Sequence, residues 1–307
     1  MILITGATGF IGEAIHRRLA PTETVVYGRR APALQCSAFY QGDITPKTDY
    51  SSALLNIEVV IHAAARVHMM NDDSKDPLVS FRYVNTDGTL NLAEQAAKAG
   101  VKRFVFISSI KVNGEHTTST PFKYDDSPAP SDPYGQSKAE AEEGLMKIAK
   151  KTGMDVVIIR PPLVYGPGVK ANFASMISIA KMNLPLPLGA IHNKRSLVAL
   201  DNLVDLVITC VSHPKAKNQI FLVSDDCDVS TTELLSMLTY ASGKKPRLLP
   251  IPAKYIELAA RLLGKKQVAD RILSSLQLDI THTKTTLNWL PPVSMHQAIS
   301  ACIANKQ

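Results

Sequence analysis

The stretch "ILITGATGFIG" (residues 2–12) contains an apolar run followed at once by three glycines spaced three residues apart. The run "ILIT" is typical of a buried strand, and a helical pattern begins after the loop. Gly6, Gly9 and Gly12 therefore lie in a strand-turn-helix unit, where a tight turn brings the backbone close to a pyrophosphate. The alternative is that these glycines serve only to form a tight turn. The position of the loop inside this unit favours dinucleotide binding instead.

The same alternation of short apolar runs and amphipathic helices continues through the first 160 residues. Strands are predicted at "ILIT", "TVVYG", "EVVIHAAA", "RFVFISS" and "DVVIIRPP", and helices at "GEAIHRRLA", "VNTDGTLNLAEQAAKAG" and "PYGQSKAEAEEGLMKIAKKTG". This pattern is typical of the α/β class with a doubly wound parallel sheet, the Rossmann arrangement. A smaller, mixed C-terminal lobe for substrate is expected to accompany it.

The chain is predicted to divide into a dinucleotide-binding domain and a substrate-binding lobe. The first comprises residues 1–164 and is completed by residues 196–223. In this second range, "RSLVAL" is predicted to be a strand and "DNLVDLVITCVSH" a helix, and both rejoin the domain. A further strand is predicted at "NQIFLVSDD". The lobe comprises residues 165–195 and 224–307, with helices predicted at "TTELLSMLTYAS" and "AKYIELAARLLG".

Composition narrows the class of partner. The net charge is +7, but the lysines and arginines are spread along the chain and aromatic residues make up only 6%, which favours phosphorylated small molecules over nucleic acid. No apolar run approaches the roughly 20 residues of a spanning helix, and the first strand leaves no room for a signal peptide, so a cytoplasmic protein without a membrane partner is expected. The four cysteines lack C-x-x-C spacing, which predicts reduced thiols and no metal site.

Two further motifs carry chemistry. In "YGQSK", Tyr134 and Lys138 are four residues apart and share one helix face, where an ammonium can stabilise a phenolate. Such a pair can also be an ordinary solvated face. In "FISSIKVNG", Ser108 and Ser109 end a strand at the expected cleft, and a hydroxyl there can bind a substrate oxygen or merely cap the strand. Ser109 is the favoured catalytic serine.

These three sites together resemble the extended short-chain dehydrogenase/reductase family, in its nucleotide-sugar epimerase, dehydratase and reductase branch, over nearly the whole chain. The resemblance implies catalysis by Ser109, Tyr134 and Lys138 on a nucleotide sugar, with UDP-hexose as the expected class, and a homodimer. It implies cofactor contacts, beyond the three glycines, Tyr134 and Lys138, at Phe10, Ile11, Asp43, Ile44, His62, Ala63, Ala64, Ala65, Asn85, Ser108 and Pro161. It implies substrate contacts at Ser109, Lys111, Tyr134, Asn172 and Arg195.

Two departures from the family pattern stand out. The family often has S-x-x-V-Y-G after the serine strand, whereas this chain has Asn113 in place of the aromatic residue and Lys111 within the motif. Many sugar 4-epimerases have an asparagine where this sequence has Leu163. The second departure weakens the prediction of a UDP-glucose 4-epimerase.

The end of the second predicted strand, "TVVYGRRAP" (residues 24–32), bears on the cofactor. NAD-binding relatives have a carboxylate there, whereas Arg29 and Arg30 offer guanidinium groups that can bind a 2′-phosphate. The pair therefore favours NADP(H), with NAD(H) possible, unless both arginines are only solvated.

NADPH in turn favours a reductase that acts on a UDP-4-keto-(6-deoxy, N-acetyl)hexose in the synthesis of surface-polysaccharide precursors. A UDP-glucose or UDP-N-acetylglucosamine 4-epimerase with retained NAD is the alternative. A non-catalytic dinucleotide sensor is the second alternative.

Overall fold

The computed structural model describes residues 1–67 and 76–304, and the last three residues of the predicted lobe, 305–307, lie outside that range. Within it the strands follow one another in chain order. They are β1 (Ile2–Thr5), β2 (Thr24–Gly28), β3 (Ala38–Gln41), β4 (Val59–His62), β5 (Arg103–Ile107), β6 (Asp155–Arg160), β7 (Leu163–Tyr165), β8 (Arg195–Ala199), β9 (Gln219–Leu222) and β10 (Asp228–Val229).

The helices of the described residues alternate with these strands. They are α1 (Phe10–Arg18), α2 (Pro77–Phe81), α3 (Thr89–Lys98), α4 (Pro133–Thr152), α5 (Ala171–Met182), α6 (Leu200–Ser212), α7 (Thr231–Ala241), α8 (Ala253–Leu262), α9 (Lys266–Leu273), α10 (Thr281–Leu287) and α11 (Met295–Ala304). A π-helical segment, Arg82–Gly88, joins α2 to α3. Short 3-10 turns lie at Pro21–Glu23, Ile110–Val112 and Pro214–Ala216.

Seven strands form one parallel sheet in the order β3-β2-β1-β4-β5-β6-β9. Successive residues of a strand face opposite sides of the sheet, so Leu3 belongs to the core beneath α3 and α4, while Ile4 belongs to the core beneath α1 and α6. This confirms the predicted doubly wound α/β class. The strand order reverses between β1 and β4, and in folds of this kind ligands bind at that switch point, beyond the carboxyl ends of the strands.

A second, smaller sheet has the order β10-β8-β7. Strand β8, which the sequence assigned to the first domain, pairs with β7 and β10 instead of the main sheet. The helix that follows, α6, does pack against α1 and β5 of the main sheet, and β9 becomes its seventh strand. A separate core beside the small sheet includes Tyr165, Phe173 and Leu234.

Local sequence explains where the long helices end. Gly153 follows α4 with φ +78°, and Gly100 follows α3 closely with φ +83°, a left-handed conformation that glycine adopts without strain. Strand β3 was missed in the sequence, because "AFYQ" is short and only half-buried at the sheet edge. None of the described helices is both long and apolar enough to cross a membrane.

Candidate active site

The glycine loop turns so tightly that side chains would not fit. Gly6 has φ +76°, and a Cβ atom added there would lie 2.6 Å from the backbone nitrogen of Ala64. A Cβ on Gly12 would lie 2.1 Å from the carbonyl oxygen of Gly6. No side chain caps α1, so its first N–H groups are available to a ligand, and the helix dipole favours an anion there. This cradle fits the pyrophosphate of a dinucleotide.

Gly12→Ala is expected to open this loop. The added methyl group must push α1 away from the Gly6 carbonyl, which should lower the free energy of unfolding by about 1–3 kcal/mol and weaken dinucleotide binding by roughly tenfold or more. Urea unfolding and a fluorescence titration with NADH would measure the two effects. Gly28→Ala is the matched stability control, since no atom lies within 4 Å of its added Cβ. Equal stability of the two variants would contradict the steric argument.

The segment after β4 forms the second wall of the cradle. Ala63, Ala64 and Ala65 are half-buried here, and Ala64 N–H donates to Thr5 Oγ1 over 3.3 Å. The His62 ring is fully buried between Thr5 and Thr89, with nitrogen-oxygen distances of 2.7 and 2.9 Å. Burial lowers the pKa of His62 to about 3, so the ring is neutral. Any contribution of His62 to a dinucleotide site would come from its backbone.

Asn85 joins this segment to α4. Its amide group donates to the Arg66 carbonyl oxygen at 3.0 Å and to Ser137 Oγ at 3.1 Å, and its Oδ1 accepts from Arg66 N–H. Thr86, the next residue, donates to the Ser137 carbonyl oxygen at 2.8 Å. Asn85 therefore braces the loop after β4 against the helix that carries Tyr134 and Lys138.

The two serines at the end of β5 have different surroundings. Ser108 is buried, and its hydroxyl donates to the Glu142 carboxylate. Ser109 is half-buried and begins the turn Ile110–Val112, with its Oγ accepting from Lys111 N–H at 3.3 Å. The backbone of this turn is held by Ile110 N–H, which donates to the Pro161 carbonyl oxygen. Ser109 is thus the serine whose hydroxyl is not bound to the buried Glu142 carboxylate.

The first turn of α4 packs on that serine turn. A Cβ on Gly135 would meet the Lys111 carbonyl oxygen at 2.8 Å, so the two backbones approach closely just beside Tyr134. Asp132 caps the helix by accepting from Gly135 N–H at 2.6 Å, and the Lys111 ammonium pairs with the Asp132 carboxylate. Burial, with a smaller contribution from Asp132, raises the pKa of the Tyr134 phenol to about 12. Without a ligand, Tyr134 is a proton donor at neutral pH.

Lys138 lies one turn further along α4. Its side chain is buried, with Nζ donating to the Ile107 carbonyl oxygen at 2.9 Å and lying 4.3 Å from the centre of the Phe106 ring. Burial lowers the pKa of Lys138 to about 7, and the Glu142 carboxylate opposes this shift. The ammonium therefore reaches β5 two residues before Ser109. Lys138 thus contacts the end of β5, and the first turn of α4, which carries Tyr134, packs on the turn that follows Ser109.

A buried ion pair beneath this junction was missed in the sequence. Arg160 is 2% exposed and binds the Glu142 carboxylate through Nε at 3.1 Å and Nη2 at 2.6 Å, while its Nη1 donates to Asn113 Oδ1 at 2.9 Å. Glu142 thus holds Ser108 and Arg160 together. Two sequence features indicate buried charges, though not their pairing: an arginine in the apolar strand "DVVIIRPP", and a glutamate four residues after Lys138.

The end of β2 lies beside the end of β1, at the same edge of the sheet as the glycine loop. Arg29 is exposed, and its Nε lies 4.0 Å from the Asp43 carboxylate, so these two predicted cofactor residues are neighbours. Arg30 is exposed beside them. Ile44 packs against Gly88 at the end of the π-helical segment. An anion at this edge would meet the exposed Arg30 and also Arg29, whose guanidinium lies next to Asp43.

The remaining predicted substrate residues lie on the second lobe. Asn172 is exposed in the first turn of α5. Arg195 on β8 donates through Nη1 to the carbonyl oxygens of Arg271 and Ser274, at 3.0 and 3.3 Å. Arg195 is thereby tied to the end of α9, and a diphosphate contact by either residue stays a prediction. Within the residues described, no cluster of three metal-binding side chains is present.

Similar proteins are known over most of this chain. The family model described as "NAD dependent epimerase/dehydratase family" matches residues 2–224. The UDP-glucose 4-epimerase of Vibrio cholerae is 50% identical over 302 residues, covering 96% of this chain and 92% of that protein.

Two solved structures share the fold. The UDP-glucose 4-epimerase of Thermotoga maritima with UDP-glucose has a TM-score of 0.79 at 23% identity, covering 99% of this chain and 98% of that one. The UDP-glucuronic acid 4-epimerase of Bacillus cereus with NAD has a TM-score of 0.78 at 24% identity, covering 99% and 97%.

Proposed function

Because the chain belongs to the NAD dependent epimerase/dehydratase family, we propose that it acts at C4 of a UDP-linked hexose, with 4-epimerisation as its reaction. The contact of Lys138 with the end of β5, and the packing of the first turn of α4 on the turn after Ser109, support this proposal. The relative from Vibrio cholerae favours epimerisation over the net reduction that the arginines suggested. A bound nicotinamide would supply hydride exchange with the sugar carbon.

The side chains divide the remaining work. Ser109 Oγ would hydrogen-bond the oxygen on C4 and hold the sugar. Tyr134, whose phenol is partly buried at the start of α4, would give a proton to that oxygen or take one from it. Lys138, in its protonated form, would stabilise the phenolate together with the positive charge of a bound nicotinamide. Glu142 supports that charge from one turn away.

Reduction of a UDP-4-keto-hexose is the second candidate, and the exposed pair Arg29 and Arg30 favours it. An epimerase recovers its hydride in each cycle, whereas a reductase consumes the reduced cofactor and commonly uses NADPH. Leu163, which is exposed at the start of β7, supports the same candidate. The proton chemistry of Tyr134 and Ser109 serves both reactions.

Replacing Arg29 and Arg30 with alanine tests the cofactor. If the pair binds a 2′-phosphate, the double variant should bind NADPH roughly ten- to hundredfold more weakly and NADH almost unchanged. Isothermal titration with both nucleotides measures this. The matched control is Arg17→Ala with Arg18→Ala, an exposed pair in the last turn of α1. Equal losses for the two nucleotides would place the arginines away from the phosphate.

One assay separates the candidate functions. If NAD copurifies with the protein, an epimerase should interconvert UDP-glucose or UDP-N-acetylglucosamine and their C4 epimers without added cofactor. A reductase should do so only poorly and should oxidise NADPH when given a UDP-4-keto-hexose. A dinucleotide sensor should bind nucleotide and do neither, which would overturn the proposal.

Several broader predictions remain part of this proposal. We propose a cytoplasmic homodimer that serves the synthesis of surface polysaccharides. We also propose that residues 1–164 and 196–223, apart from strands β7 and β8 of the small sheet, form the dinucleotide-binding domain, with the rest of the chain binding the sugar nucleotide. Sedimentation equilibrium would test the dimer, and ligand protection of each segment from hydrogen exchange would test the division.

A further inference from the structure

The helices α8 and α9 present an unusually apolar surface. Of the sixteen large hydrophobic side chains exposed among the described residues, eight lie between residues 240 and 268. Leu262 is 81% exposed and Leu263 is 73% exposed, and α8 has no buried residue at all. We name the exposed side chains of Tyr255, Leu258, Leu262, Leu263 and Val268 the α8–α9 face. A single exposed leucine is ordinary in proteins, but a cluster of this size indicates an interaction surface.

The same segment carries most of the net charge. Residues 244–271 contain eight lysines and arginines and only two carboxylates, a net charge of +6, whereas the whole chain has +7. Lysines and arginines are spread along the whole sequence, as expected. Their excess over carboxylates is instead concentrated in residues 244–271. All eight basic side chains are exposed, and they come from the same stretch of chain as the α8–α9 face. They are Lys244, Lys245, Arg247, Lys254, Arg261, Lys265, Lys266 and Arg271.

The two helices also enclose an apolar groove of about 350 Å³. Ile251, Tyr255, Ala259, Leu263 and Val268 are among its lining residues. Its rim is basic, because Lys265 lines it too and Lys254 lies over the Tyr255 ring at 5.0 Å. An occupant of this surface must therefore combine apolar groups with negative charge.

We propose that the α8–α9 face docks on the surface of an anionic lipid bilayer. The leucines would enter the boundary between headgroups and acyl chains, while the lysines and arginines would extend to the phosphates. The helices have ten and eight residues, which is too short to span a bilayer. The proposed contact is therefore peripheral. The sequence pattern, in contrast, predicted no membrane partner.

Charge argues against a second copy of this chain as the occupant. A symmetric dimer through this face would bring two segments of net charge +6 together, and like charges that face each other disfavour association. An anionic bilayer instead attracts each basic residue near its surface.

Vesicle flotation with the full chain tests the proposal. The protein should float with vesicles that contain phosphatidylglycerol and remain in solution with pure phosphatidylcholine. Lys265→Glu with Lys266→Glu should weaken binding at least about tenfold. These positions cap and begin α9, where glutamate suits the helix dipole, so the helix should persist. Lys150→Glu with Lys151→Glu, an exposed pair at the end of α4, is the matched control and should bind normally.

The apolar contribution has its own variants. Leu262→Ser with Leu263→Ser should also weaken binding at least about tenfold, because two exposed leucines no longer enter the bilayer. Leu55→Ser with Leu290→Ser, which alters two other exposed leucines, should leave binding unchanged.

Each of the following results would overturn the proposal: no flotation of the wild-type chain with anionic vesicles, equal loss in the control variants, or a dimer in solution that only the Leu262 and Leu263 variant dissociates. The last result would assign the face to a second copy.

Discussion

Tyr134→Phe is expected to lower kcat by about 10²- to 10⁴-fold, the usual contribution of a positioned acid or base. The variant loses only the phenolic oxygen. Its ring still packs against Phe81, whose centre lies 6.0 Å away, and the cap by Asp132 uses the backbone of Gly135. Folding and nucleotide affinity should therefore change little. Steady-state rates at several substrate concentrations, together with a thermal unfolding curve, would measure both.

Tyr240→Phe serves as the control for that experiment. Tyr240 is 62% exposed on α7, which belongs to the second lobe, so removing its hydroxyl should leave kcat unaltered. If Tyr134→Phe keeps the wild-type rate, the proton must pass through a different group. The roles of Ser109 and Lys138 would then have to be reassigned as well.

Glu142→Ala is expected to lower the free energy of unfolding by about 3–5 kcal/mol, because it leaves the buried Arg160 guanidinium without its counter-charge. The neighbouring variant Glu143→Ala breaks a pair with Lys147 in which both side chains are largely exposed, and it should cost no more than about 0.5 kcal/mol. Urea unfolding of the two variants, measured side by side, isolates the effect of burial at nearly the same place on α4.

The pair can be examined further by changing both partners. Glu142→Met combined with Arg160→Met should recover much of the lost stability, since neither charge is then buried. Activity should not recover in parallel, because Ser108 and Lys138 both interact with the Glu142 carboxylate. A Glu142→Ala variant as stable as Glu143→Ala would show that Arg160 finds another partner.

Local patterns were sufficient to predict most of the fold. Apolar runs and glycine caps located the strands and helices of the main sheet, because buried parallel strands and long amphipathic helices have strong periodic patterns. The small sheet was not foreseen. Its strands β7 and β10 have three and two residues, and their pairing with β8 joins segments far apart in the chain. Such pairing depends on the tertiary fold and leaves no periodic pattern.

Candidate site residues differ in how far the sequence alone identifies them. Residues with distinctive spacing, such as the three glycines and Tyr134 with Lys138, could be identified directly. Glu142 and Arg160 could not be paired from the sequence, because α4 and β6 meet only in the folded chain. The engagement of Ser108, and not Ser109, with Glu142 likewise required the structure.

The position of Asn85 depends on the number of residues in the π-helical segment Arg82–Gly88. A π turn holds one residue more than an α turn, so the helix before it and the helix after it are out of phase. The deletion of a single residue there would restore a regular helix and rotate Asn85 away from Ser137, although every neighbouring side chain would be kept. Natural variants of this chain should therefore tolerate substitutions in this segment more readily than a change in its number of residues.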